Sequence, residues 1–265
     1  MARAPVEAPP TTEGRQGLSQ VLASEWIKFR TVRSTLITLV ATFLLCVGIG
    51  ALICLARRSH FPEDPTRASL QGFALADVSI GVIGVLIVTA EYSSGLIRAT
   101  LAASPRRPTV LLAKALVLVL ATTLAGEACA FASFLTGQAI LHGYAPTASL
   151  SDHAVLQAVL LAGLSLGLLA LIAMGVGLML RHTAGSIAVY VSLLLVVWII
   201  VAALPSSWNV HIYKYLPEVL TEAMRSTQPL GGISEFTPWV STIVLAGYAF
   251  LALLGGAIAF ARRDA

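Results

Sequence analysis

The sequence predicts an all-α, polytopic membrane protein. It has six transmembrane helices, both termini cytosolic, and an amphipathic interfacial helix before the first span. Three observations carry this. Of 265 residues, 57% are hydrophobic and 11% charged, with a mean hydropathy of +0.85, whereas a soluble domain has about 25% charged residues. The apolar residues gather into runs near the roughly twenty residues that cross hydrocarbon as a helix. Lys and Arg stand in short clusters at the ends of those runs.

That placement governs how the charge is read. A net charge of +4 and a pI near 9.2 would suit nucleic acid if the basic residues shared one polar face; at the ends of apolar runs they set topology instead. Arginine outnumbers lysine by 14 to 3 and Ala and Leu dominate, the bias of a GC-rich bacterial genome, so the expected location is a bacterial plasma membrane. Cys46, Cys54 and Cys129 fall inside predicted spans with no Cys-x-x-Cys pair, which argues against redox or zinc chemistry.

Residues 1–17, rich in Pro, Ala, Thr and Glu, read as a disordered cytosolic tail without a cleaved leader. Residues 18–265 form the six-span domain. Over 18–33, Leu18, Val21, Leu22, Trp26, Phe29 and Val32 share a helical stripe with Lys28, Arg30 and Arg33 near its end, which suits a helix lying at the inner headgroups. The other reading is an extended first span. Glu25 sits inside the stripe and needs a basic partner, with the 91–114 connection as a source.

The spans are expected near 34–56, 74–90, 115–141, 154–180, 187–204 and 239–261. An even number puts both termini on one side. With the termini inside, twelve Lys and Arg fall on cytosolic segments and five outside, the orientation that positive-inside bias favours.

Two acids lie within spans. Glu127, near the midpoint of its run, costs on the order of 2.5–3.5 kcal/mol if charged there and should face the bundle interior, a partner or a wet cavity. It reads either as a pathway or proton-relay residue or as a hydrogen-bonding tie between helices. Asp77 lies close to the outer end of its span and is expected to reach the interface. Gly163 and Gly167 form a small-x-x-x-small pair that lets a second helix approach, within the chain or across a dimer seam.

Residues 205–238 carry Pro205, Pro217, Pro229 and Pro238 among aromatic side chains. Pro217 can start a short helix with Leu220, Ala223 and Met224 on one face and Glu218 and Glu222 turned away. This is expected as an external lid or re-entrant element, or as an ordinary interfacial loop with an aromatic belt.

No Gly-x-x-x-x-Gly-Lys-Ser/Thr occurs, so any ATP that drives the chain is bound elsewhere; no hydrolase motif occurs either. The charged connection is the informative stretch: Glu91-Tyr92-Ser93-Ser94-Gly95-Leu96-Ile97-Arg98-Ala99-Thr100-Leu101, then Ser104-Pro105-Arg106-Arg107 and Lys114. Its arginines can pair with acids on a partner or with anionic lipid.

Together the interfacial helix, this stretch and the amphipathic segment before the last span resemble an ABC-2 type transporter permease, particularly those of actinobacteria. The resemblance covers nearly the whole chain from Leu18. It implies a half-transporter, an exporter, that dimerises as a homo- or heterodimer in the bilayer and pairs with a separate ATP-binding subunit. ATP and Mg belong to that subunit, and this chain binds no cofactor and has no catalytic residue. The resemblance carries coupling roles onto Glu91, Gly95, Arg98, Pro105, Arg106 and Arg107, and a bracing role onto Glu25, Trp26, Lys28 and Arg30. Two other classes stay open: a proton-coupled secondary transporter using Glu127, and a non-transporting membrane anchor or immunity protein.

Overall fold

The computed structural model of this chain describes residues 18–58, 64–96, 107–144, 147–229 and 235–262. The tail 1–17 and Arg98, Pro105 and Arg106 lie outside the described residues, as does the side chain of Arg107. Among the described residues all regular structure is helical. In chain order it comprises α1 (Leu18–Thr31), α2 (Arg33–Arg57), α3 (Pro65–Leu70), α4 (Phe73–Ser93), α5 (Arg107–Leu141) and α6 (His153–Leu180). Then follow α7 (Thr183–Val191), a π-helical turn (Ser192–Val196), α8 (Val197–Ala202), α9 (Ser206–Ile212), a 3-10 turn (Tyr213–Tyr215), α10 (Pro217–Met224) and α11 (Pro238–Arg262).

Among the described residues six helices are long and apolar enough to cross a membrane: α2, α4, α5, α6, α7 continuing through α8, and α11. The expected spans are all present, with two boundaries moved. The third helix starts at Arg107, not 115, because the Lys114 ammonium is paired inside the bundle and no longer argues for water. The fifth starts at Thr183, not 187. Its early polarity is absorbed internally: Gly185 N–H donates to His182 Nδ1 at 3.0 Å and the Ser186 hydroxyl to His182 O at 2.8 Å.

Helix α6 is apolar all round and is the most enclosed span, as expected of a core helix. Helices α4, α5 and α11 pack around it, and α2 packs on α4 and α5. The outer faces carry exposed Ile37, Leu44 and Leu52 on α2, Leu124 on α5 and Ile243 and Leu251 on α11. In a six-span bundle this apolar surface faces hydrocarbon. The end holding α1 and the close of α11 is called the base below, and the opposite end the top.

At the top, two connections turn back into the bundle. α3 begins on an Asp64 cap, whose carboxylate accepts Arg67 N–H at 3.0 Å. The turn after α3 presses Gly72 against the Cys46 carbonyl. Cys46 lies eleven residues before the end of α2, so α4 starts roughly 16 Å below that end. The Thr42 and Ser79 hydroxyls meet at 2.7 Å one level further in. The 203–229 segment also descends: the Tyr248 hydroxyl donates to Tyr215 O at 3.0 Å, about 15 Å below the start of α11. It is therefore a re-entrant hairpin and not a surface loop. Leu220, Ala223 and Met224 are buried as the pattern predicts.

Candidate functional site

At the base, α1, α4 and α5 meet through four charged side chains. Lys114 of α5 donates to Glu25 Oε2 at 2.6 Å and to Glu91 Oε1 at 2.9 Å, while Lys28 donates to Glu25 Oε1 at 2.7 Å and Glu91 Oε1 at 3.1 Å. Lys114 and Glu25 are almost wholly buried, whereas the Lys28 side chain is 43% exposed. Two ammonium groups balance two carboxylates, the condition under which buried charges persist. Glu25 thus has the basic partner its position in the stripe required.

Burial alone would push the Glu25 carboxyl up. The Lys114 and Lys28 ammonium groups overcome this and hold it below the usual carboxylate range. Lys28 is opposed by its own burial, yet Glu25 and Glu91 raise it above an ordinary lysine.

The α1 stripe divides between two neighbours. Val21, Glu25 and Phe29 face the bundle, whereas Leu18, Trp26 and Val32 are exposed. Arg30 is exposed and makes no part of the four-charge network. Of the residues given bracing roles, Glu25 and Lys28 come together with Glu91; Trp26 stacks on Phe29 with centroids 6.3 Å apart. Gly95 ends α4 in a left-handed conformation, φ +71°, with its N–H on Tyr92 O at 3.3 Å. A residue with Cβ is disfavoured there, and the helix stops.

A second ionic cluster lies above the first. Arg225, just after α10, donates to Asp77 Oδ2 at 2.9 Å and Oδ1 at 2.5 Å, and to the Ser165 hydroxyl at 2.7 Å. The Tyr190 hydroxyl donates to Asp77 O at 2.8 Å, and the Arg225 guanidinium lies over the Phe73 ring at 4.8 Å. Asp77 is fully buried, which corrects the expectation that it reaches the interface. The reason is the sunken start of α4: a residue near the end of its helix is still deep in the bundle. Outside the pair, Arg67 bonds Glu222 and Asp64 Oδ2 accepts Thr227 N–H at 2.8 Å, tying α3 to the hairpin.

The two clusters share α4. Asp77 and Glu91 are fourteen residues apart, about 21 Å along one helix. Sequence reasoning missed Arg225, Ser165 and Tyr190. The available signal was that an acid within a span demands a partner, and that Arg225 follows a short amphipathic helix.

Gly163 and Gly167 face α5 of the same chain. A Cβ on Gly163 would stand 2.4 Å from Glu127 Cδ, and one on Gly167 2.1 Å from Thr123 Oγ1. The pattern is thus occupied by intrachain packing. Glu127 Oε2 and Thr123 Oγ1 are both buried with no hydrogen-bond partner.

Residues 73–265 match a family described as Protein of unknown function (DUF2705). The match runs from the first residue of α4 through the rest of the chain. No curated protein matches the sequence.

Proposed function

This chain belongs to the DUF2705 family, and for it we propose the role of permease subunit of an ABC-2 type transporter, an exporter working as a dimer in a bacterial plasma membrane. A separate ATP-binding subunit supplies ATP and Mg. The observation that supports the reading is the four-charge network at the base. Lys114 and Glu91 stand on the two helices that flank residues 97–106, and both bond α1 through Glu25 and Lys28. A push delivered to that connection reaches two rigid helices at once, with α1 held against both. Well-paired buried charges resist separation, since parting them strands a charge at about 3–5 kcal/mol. Arg98, Arg106 and Arg107 would meet the acidic side of the partner.

The test is to purify the tagged chain from native membranes in mild detergent and identify what remains at near-stoichiometric amount. A P-loop subunit that is lost when residues 97–106 are scrambled supports the proposal. Recovery without one, under conditions that preserve a control complex, sinks it.

One observation favours a second reading. The unpartnered Glu127 Oε2 beside the unpartnered Thr123 Oγ1 is what a proton-carrying secondary transporter would need. That reading requires transport that follows the proton gradient without an ATPase.

A further inference from the structure

Near the base, α5 and α11 do not close on each other. Both pack on α6, and between them runs an apolar cleft of about 710 Å³. Pro108, Leu112 and Ala115 form one wall and Leu254, Ala257 and Ala261 the other. From Phe250 to Ala261 it follows α11 for eleven residues, about 16 Å, which is the depth of one leaflet of a 30 Å hydrocarbon core. Leu112, Phe250 and Leu254 are exposed along it.

The mouth of the cleft carries a basic residue: Ala261 is followed by Arg262, which is exposed. No acid lines the cleft among the described residues, and the nearby carboxylates Glu25 and Glu91 are engaged by Lys28 and Lys114. An apolar slot one leaflet deep with arginine at its headgroup end is complementary to an acyl chain carrying an anionic head. A second copy fits less well. Two clefts facing across a twofold axis would set arginine mouth against arginine mouth.

We propose that this cleft binds one anionic phospholipid of the base-side leaflet, with an acyl chain along α11 and the phosphate at Arg262. The site stands apart from the transporter assignment, because it can be measured on the chain alone without any ATPase.

The experiment takes the full-length chain in detergent and titrates it with phosphatidylglycerol and, separately, phosphatidylcholine of the same acyl chains, counting retained lipids by native mass spectrometry. One phosphatidylglycerol per chain should be held about tenfold more tightly than phosphatidylcholine, an ordinary margin for one charge-assisted contact. Arg262→Gln should remove most of that preference without altering the fold, since Arg262 is at the surface. Ala257→Phe should fill the cleft and abolish retention in a chain that still elutes as one species. Equal retention of both lipids by the unaltered chain overturns the proposal. So does unchanged retention in the filled variant, or a lipid-free chain dimer that Ala257→Phe dissociates.

Discussion

Asp77 and Arg225 stand 148 positions apart in the chain and meet in a two-pronged ion pair with no water-facing side. The pair joins the buried start of α4 to the re-entrant hairpin. At the other end of α4, Glu91 enters the base network, so one helix links the hairpin to α1.

Breaking the upper pair should be severe. Asp77→Asn or Arg225→Gln alone strands a buried charge and is expected to cost about 3–5 kcal/mol. Making both changes together should cost clearly less than the sum of the two single ones, because no charge remains uncompensated. Thermal unfolding of the four proteins in one detergent measures the coupling, and strict additivity would show that the pair is not an energetic unit.

Within the base network the two lysines should differ. Lys114→Gln leaves the buried Glu25 and Glu91 carboxylates sharing only Lys28, with a loss of about 3 kcal/mol or more. Lys28→Gln removes a 43% exposed partner and should stay within about 1 kcal/mol. Equal effects in the same melting assay would contradict the geometry.

The pH dependence of α1 docking follows from the same groups. Glu25 titrates lower in the folded chain than in the unfolded one, so its contribution is complete above the ordinary carboxylate range and is lost as pH falls through its lowered folded value. Lys28 titrates higher when folded, so its smaller contribution is complete below 10.5 and disappears as pH rises through its raised value. Amide exchange of α1 should therefore be slowest, after correction for intrinsic rates, on a broad neutral plateau. Glu25→Gln should remove the acid limb and weaken the alkaline one, because Glu25 is the larger cause of the raised Lys28 value.

Two helical glycines give a packing contrast. Gly163→Ala forces a Cβ to within 2.4 Å of Glu127 Cδ and 2.7 Å of Glu127 N, at a cost of about 1–3 kcal/mol. Adding Glu127→Ala should not rescue it, because the backbone nitrogen stays in place. Gly48→Ala, which meets nothing within 4 Å on α2, should be neutral or stabilising by up to about 1 kcal/mol. Melting temperatures that rank the two substitutions the other way would refute the α5–α6 contact.

The sequence by itself determined the six apolar helices, the helix before them and the short helix from Pro217. Each depends on local periodicity and run length, which water and hydrocarbon impose on a segment whatever its neighbours. It also posed one question correctly, since an acid inside an apolar stripe at Glu25 requires a cation. For Glu25 the charged connection already named the source, because Lys114 lies at its far end.

Only the tertiary structure decided where α4 begins in depth, and with it that Asp77 is buried and needs Arg225. Depth depends on how far α3 and the hairpin sink between helices, a matter of close backbone approach at Gly72, Cys46 and Tyr215 that no periodicity records. The moved start of the third span has the same origin: Lys114 reads as polar in sequence, and it sits inside a helix because folding supplied Glu25 and Glu91 as partners. The fifth moved for a local reason, the Ser186 hydroxyl bonding His182 O one turn back.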